Sequence, residues 1–338
     1  MQVYGIDLSM EKFDVNYIDE KGKEKNKVVK NQVKNISKFL DSVSEDAVLC
    51  AENTGVYGDL LLFLANQLKI DIALVPGYTI KHSLGIIKGK SDPIDAGRIR
   101  EYGERFSDKL SFKQFDTEEI AELKSLYTFR SQLVKARKVI RTGEHSRTKA
   151  PMQSVSVKRH SETALMQLDA EIEAIEIEME EIIKTDSELN ESYEFATSVK
   201  GIGPVIATDL IIKTGNFKVI DTARKAASYA GVCPFPNESG KMVGKRKTSP
   251  FADRKLKALL YMGAKSAVKH NKEYRLYYQK KKQEGKPHYL IMNNVSNKML
   301  RTIYAVVKNR IPYSQEYISL DPRELENINF NSSTEKVA

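Results

Sequence analysis

The apolar and polar positions change rhythm twice along the chain, and each change predicts a different kind of structure. Residues 2–8 (QVYGIDL) are apolar-rich, and residues 12–19 (KFDVNYID) alternate before the polar turn EKGKEK, which predicts a β-hairpin. A third short strand around residues 27–30 extends it. Ile36, Phe39, Leu40 and Val43 recur at helical spacing and predict a helix over 33–43. A short buried strand over 47–51 ends at Glu52. A helix over 56–68, a buried strand over 70–75 and a helix over 92–105 follow. The order β-β-β-α-β-α-β-α predicts a mixed sheet flanked by helices.

The rhythm then becomes helical throughout. Residues 118–149 and 158–196 read as two long helices separated at Ala150-Pro151, where proline interrupts. In the second, Leu165, Leu168, Ile172, Ile175, Met179 and Ile182 step by 3, 4, 3, 4, 3, which is the seam of a coiled coil. From Tyr193 the pattern changes again, and SVKGIGPVIATDLIIKTG reads as helix, GIG turn, helix and terminal glycine. Helices and loops continue through Arg310, and the chain ends in a polar tail. The expected fold class is therefore α/β followed by α. Its parts are a mixed-sheet domain over 1–112, coiled-coil arms over 113–196, a mainly helical domain over 197–315 and a tail over 316–338.

Charge sharpens this picture. The 338 residues are 41% hydrophobic and 29% charged, a globular composition, with a net charge of +9. The excess is concentrated: residues 241–310 hold 19 Lys and Arg against three acids (Asp253, Glu273, Glu284), a net of +16. Residues 161–196 hold twelve acids and one lysine, a net of −11, whereas 120–150 carry eight basic and two acidic residues. Opposite charge on the two arms favours pairing with each other or with a second subunit. A basic C-terminal region points to a polyanionic partner. Cys50 and Cys233 form no CxxC pair, and the five histidines have no zinc spacing. The longest apolar run, over 60–75, is broken by Asn66, Gln67, Lys69 and Asp71, and MQVYGIDLS reads as a strand start. No membrane association and a cytoplasmic location are expected.

Four acids stand at element ends: Asp7 in the first strand, Glu52 in AENTGVYG, and Asp92 and Asp95 in KSDPIDAGRI. Singly, Asp92 reads as a helix cap, Asp95 as a favourable first-turn acid and Glu52 as part of a polar turn. Together, acids at strand ends converge on one edge of a sheet and repel each other unless a cation neutralises them. Mg²⁺ suits an all-oxygen site of this kind, and paired ions of this sort serve phosphodiester chemistry.

In the C-terminal half, Gly201 and Gly203 of GIGP permit a tight turn, and the amides of the following helix start offer a sequence-independent phosphate contact. This resembles a helix-hairpin-helix, and an ordinary helix corner has the same pattern. Ser239 lies in AGVCPFPNESGKMVGKRKTSP just before Lys241, Lys245, Arg246 and Lys247. A serine there is either a turn residue or a nucleophile awaiting activation. Arg254, Lys255 and Lys257, with Tyr274, Tyr277 and Tyr278, suit backbone tracking with occasional base stacking.

In their joint order these motifs resemble the DEDD transposases of the insertion-sequence one-hundred-and-ten class, also called bridge-RNA-guided recombinases. The matching pieces are GIDLSMEKFDV, AENTGVYG, the KSDPIDAGRI acid pair, the central coiled coil, VKGIGPVIA, and AGVCPFPNESG followed by LKALLYM, together spanning about residues 2–312. The resemblance implies an RNase H-like (RuvC-like) N-terminal domain whose tetrad is Asp7, Glu52, Asp92 and Asp95, holding Mg²⁺ with Mn²⁺ able to substitute. It implies a C-terminal transposase domain whose Ser239 attacks DNA and forms a covalent 5′-phosphoserine link. It further implies donor and target DNA read through a structured non-coding guide RNA, assembly as dimers and tetramers, and an active site shared between subunits. After ESG the chain departs from the family, reading KMVGKRKTSPFAD, and this bears on DNA contacts just past Ser239. Two other classes fit the residues: a Holliday-junction-type nuclease using water as nucleophile, and a non-catalytic nucleic-acid scaffold.

Overall fold

The computed structural model describes residues 2–44, 46–85, 89, 91–149, 152, 154–240, 242–244 and 246–314. The chain divides between Asp116 and Thr117 into two compact units.

The first unit is a five-stranded mixed sheet between helices. Its strands are β1 (Gln2–Leu8), β2 (Lys12–Ile18), β3 (Glu24–Lys30), β4 (Ala47–Glu52) and β5 (Asp71–Val75), in the order β3-β2-β1-β4-β5. The hairpin strands pair antiparallel, and β1, β4 and β5 run parallel. Strand alternation sorts the side chains onto two faces. One face carries Ile6, Leu8, Phe13, Val15, Leu49, Ala51 and Ile72, covered by α1 (Val33–Leu40) and α2 (Asp59–Gln67). The other carries Val3, Cys50, Ala73 and Val75, against Ile80 of α3 (Gly77–Ser83) and Ile99 and Tyr102 of α4 (Asp92–Arg105). The strands and helices agree with the sequence pattern to within a few residues. α3 is an addition: seven residues are too few to develop a helical stripe.

Two glycines set how closely α4 lies on the sheet. A Cβ at Gly5 of β1 would overlap the Ala96 carbonyl and the Arg100 amide of α4, and one at Gly103 of α4 would lie 2.7 Å from Val3 Cγ1. Gly5→Ala must therefore push the helix backbone off the sheet. A loss of roughly 3 kcal/mol is expected in urea denaturation, the upper part of the overpacking range. A change below 1 kcal/mol would show that α4 has slack here.

The second unit opens with a helical hairpin of α5 (Glu118–Arg147) and α6 (Val155–Thr185). The two run antiparallel, since Arg130 bonds Glu176 at 2.6 Å and Arg137 bonds Asp169 at 2.5 Å. The basic and acidic arms thus pair within one chain. Buried apolar contact is confined to one end, where Ile120, Leu123 and Tyr127 meet Ile175, Met179 and Ile183. The seam predicted through Ile182 has moved to Ile183, as a straight 3.6-residue helix drifts from a 3.5-residue repeat. Leu165 and Leu168 are only half-buried.

The second predicted helix is not continuous. It stops at Thr185, and the Asp186 carboxylate accepts from the Glu188 and Leu189 amides to start α7 (Ser187–Ser198). Beyond it lie α8 (Pro204–Thr214), α9 (Ala223–Tyr229), the small hairpin strands β6 (Glu238–Ser239) and β7 (Met242–Val243), α10 (Arg254–His270), α11 (Lys272–Gln283) and α12 (His288–Asn309). Their core is built on Ile202, Leu210, Leu256, Leu260, Tyr274, Met299 and Ile303. An ion-pair chain joins α8 to α10: Asp209 is fully buried, Lys213 lies 2.9 Å from it, and Lys213 reaches Asp253 at 2.8 Å. No helix among the described residues is long and apolar enough to cross a membrane.

Candidate active site

Period-2 alternation places Asp7 and Glu52 on the α4 face of the sheet, in step with Gly5 on β1 and Cys50 on β4. Asp92 and Asp95 occupy the first turn of α4, where the helix dipole favours acids, and Pro93 sits in the same turn. The four acids therefore interact. Burial, then the charges of Glu52, Asp95, Asp92 and Asp14, push the Asp7 carboxyl up to about 6. The carboxylates of Asp7 and Glu52 make no hydrogen bond or ion pair among the described residues. A Cβ at Gly77 would overlap Glu52 Oε1, so the glycine at the start of α3 is what leaves room for this carboxylate.

Three neighbours escaped the sequence reading. Asp14 stands directly across from Asp7 in the β1–β2 ladder and is 5% exposed. Lys12 Nζ lies 3.2 Å from both Asp14 and Asp92. Arg98 pairs with Asp95 at 2.7 Å and donates to the Gly89 carbonyl at 2.9 Å. A signal for Asp14 existed: it sits between Phe13 and Val15 in an alternating strand, so it had to face the opposite layer. That this layer was covered by α4 was not visible from the strand alone.

Among the described residues no three His, Cys, Asp or Glu side chains converge tightly enough to hold one metal ion. The donor set still suits a divalent cation. It is all oxygen, the charges of the other acids raise the proton affinity of Asp7, and the carboxylates of Asp7 and Glu52 have no cation partner among the described residues.

The raised Asp7 carboxyl has a consequence for the metal-free protein. A folded value above the unfolded 3.8 means that the folded state holds the proton more tightly. Stability therefore falls as pH rises from about 4 through about 6, and the deficit is complete above that. With solvent screening of this half-exposed group, the deficit is about 1 kcal/mol. Asp7→Asn is expected to remove it, melting a few degrees higher than the wild type in chelator at pH 7 and no higher at pH 4. Equal melting temperatures at pH 7 would mean that the acids do not repel in solution.

In the second unit, Ser239 belongs to a β-hairpin and not to an irregular loop. Phe235 and Lys247 exchange backbone bonds at 2.8 and 3.3 Å, and the Gly244 amide donates to the Asn237 carbonyl at 2.8 Å. Ser239 pairs with Met242 at the tip, where Gly240 takes φ +55°. Ser239 is exposed, and its hydroxyl caps nothing among the described residues. Arg246 and Lys247 are exposed on the same hairpin and Arg254 on the first turn of α10, and Lys257 is half-buried. Lys241 and Lys245 lie outside the described residues.

Other candidates have structural duties. Gly201, at φ +97°, packs against α10, where a Cβ would meet the Gly263 carbonyl and Ala267. Gly203 caps α8 with open space beside it. Lys255 lies 3.9 Å over the Tyr127 ring and bonds Ser131 at 2.6 Å, so it ties α10 to α5. Tyr274 is a core residue, 2% exposed.

A mixed sheet with acids gathered on its α4 face, followed by a basic helical unit, suits an enzyme that acts on nucleic acid, and comparison with known proteins agrees. A family profile described as "Transposase" matches residues 4–148, and one described as "Transposase IS116/IS110/IS902 family" matches residues 193–279. Together they cover more than half the chain. The chain belongs to this family of insertion-sequence transposases, which are enzymes of DNA strand transfer. Its five-stranded sheet fits the RNase H-like domain of DEDD transposases, which typically use a divalent metal. The chain is 26% identical over 274 residues to the pilin gene-inverting protein of Moraxella bovis, covering 79% of this chain and 82% of that protein. The Moraxella lacunata protein of the same name gives the same identity and coverage. An insertion element IS116 protein of 44.8 kDa from Streptomyces clavuligerus is 28% identical over 146 residues, 43% of this chain and 36% of that protein.

Proposed function

We propose that this chain is an RNA-guided DNA recombinase that cleaves, exchanges and rejoins strands through a covalent 5′-phosphoserine intermediate. The observation that carries this reading is that Asp7, Glu52, Asp92 and Asp95 lie within reach of one another's charge: burial, and then the charges of the other acids, lift the Asp7 carboxyl to about 6. Clustered like charge is costly to a mere scaffold, and it suits an enzyme that binds cations and phosphates. The four acids would hold Mg²⁺, or Mn²⁺ in its place, which when bound neutralises phosphate charge and polarises the scissile bond. Ser239 attacks phosphorus through its exposed Oγ, the P–O3′ bond breaks, and the hydroxyl proton ends on the departing 3′-oxygen. The phosphoserine ester conserves the bond energy for rejoining. Arg246, Lys247, Arg254 and Lys257, with Lys241 and Lys245, contact DNA phosphates, and the turn at Gly201 and Gly203 acts as a helix-hairpin-helix. The α5–α6 arms act as a coiled coil that assembles copies into dimers and tetramers. A structured non-coding RNA pairs with donor and target DNA. The gene inversion for which the Moraxella pilin gene-inverting proteins are named supports this reading.

The test is a denaturing gel of the protein incubated with guide RNA, labelled donor and target DNA, and Mg²⁺. Label that shifts with the protein after denaturation, and is released by protease, is the expected result. Free DNA ends without attached protein would replace this mechanism with water-based, junction-type cleavage.

A further inference from the structure

We propose that the second unit carries a stacking site for one unpaired nucleobase, formed by Tyr261 and Tyr289 beside Lys257 and Asn293; this rests on the reading of the chain as a nucleic-acid enzyme. A cavity of about 180 Å³ is lined by Val232, Lys257, Tyr261, Tyr289, Asn293 and Ser296. That is below the range for whole drug-sized ligands and suits a single planar ring system.

Its aromatic wall is built in advance. Tyr261 and Tyr289 stack with centroids 6.1 Å apart and planes inclined by 26°. The His288 ring is gripped on both nitrogens, by the Tyr261 hydroxyl at 3.1 Å and the Tyr278 hydroxyl at 2.8 Å. His288 in turn meets Tyr289 edge-on, with centroids 5.3 Å apart. Tyr289 is nevertheless 76% exposed. A large aromatic ring braced by two ring contacts yet left open to solvent contributes little to the core, and it presents a π-face.

The polar groups match a nucleotide. Lys257 supplies a cation within a segment of net charge +16, and a phosphate attached to the stacked base would meet it. The Asn293 amide nitrogen donates to the Val232 carbonyl at 2.9 Å, and its oxygen remains as an acceptor at the cavity wall. Val232 precedes by three residues the point where the Ser239 hairpin begins at Phe235. A base held here is drawn out of its stack next to the segment that carries the nucleophile.

The experiment titrates the full chain against fluorescein-labelled oligodeoxythymidine and oligouridylate of about 12 nucleotides, and against abasic strands of each backbone, by anisotropy. Tyr289→Ala is expected to weaken at least one base-bearing strand by roughly tenfold and leave the abasic strands unchanged, while Tyr289→Phe binds as the wild type. The strand that loses affinity identifies DNA or RNA as the source of the base. In the wild type, 5-iodouracil strands are expected to crosslink to Tyr289 or Tyr261 by peptide mass spectrometry. Equal loss on abasic strands, no loss on any strand, or crosslinks only elsewhere overturns the proposal. Serine adducts are assayed in parallel: a Tyr289→Ala protein that keeps both strand affinity and adduct formation removes this site and leaves the recombinase standing. A wild type without adducts removes the serine mechanism and leaves the binding result intact.

Discussion

Ser239→Ala is expected to abolish the covalent protein–DNA adduct while guide-RNA binding stays at the wild-type level. The hydroxyl is exposed at the tip of a hairpin whose backbone pairing does not involve the side chain, so alanine leaves the fold unaltered. The effect should be nearly complete, because removal of a serine nucleophile costs on the order of 10⁶ in turnover where it has been measured in a hydrolase. Ser239→Cys discriminates further, since a thiol can attack phosphorus but leaves a weaker ester for rejoining. Adducts at wild-type level in the alanine variant would move the nucleophile elsewhere. Ser249 is the natural control: its hydroxyl accepts from the Phe251 amide at 3.2 Å, as a turn serine does, so Ser249→Ala should still form adducts.

Asp7→Ala should lose strand transfer by at least about 100-fold, a cost that even an outer-sphere partner of a metal can carry. It should also lose the thermal stabilisation that Mg²⁺ or Mn²⁺ confers on the wild type. At an ion concentration tenfold above the dissociation constant that stabilisation is about 1.4 kcal/mol. The two readouts separate chemistry from binding. A variant that keeps the ion-dependent shift but not the activity would show that Asp7 acts on the substrate and not on the ion. Mixing Asp7→Ala with Ser239→Ala protein should restore transfer if the acids of one copy serve the serine of another. Failure at every mixing ratio removes the shared site.

Much of the first unit was legible because its signals are local. The alternation through KFDVNYID, the EKGKEK turn and the short apolar runs at 47–51 and 70–75 each report a strand whose partners matter little to its existence. Asp7, Glu52, Asp92 and Asp95 were visible for the same reason, each standing at the end of an element. The arms were less legible. Heptad spacing describes which positions face one way, but where α6 stops depends on the Asp186 carboxylate capping the next helix. The seam end at Ile183 depends on which residues of α5 arrive opposite it.

The aromatic-basic stretch was only partly legible for a related reason. Tyr274, Tyr277 and Tyr278 look alike in sequence, yet Tyr274 fills the core, and Lys255 is spent on Tyr127 and Ser131. Tyr261 and Tyr289 are 28 positions apart and stack only because α10 and α12 pack together.

By itself the sequence determined the order of elements, the charge polarity of the chain and the chemical types on offer: four acids at element ends and a serine among cations. These follow from periodicity and composition, which act over a few residues. Only the tertiary structure decided that Asp14 and Lys12 join the acids, that Gly5 lets α4 approach the sheet, and which tyrosine is buried and which is presented. Those outcomes are set by contacts between elements far apart in the chain, where close packing and unscreened charge act through distance in space and not through spacing in sequence.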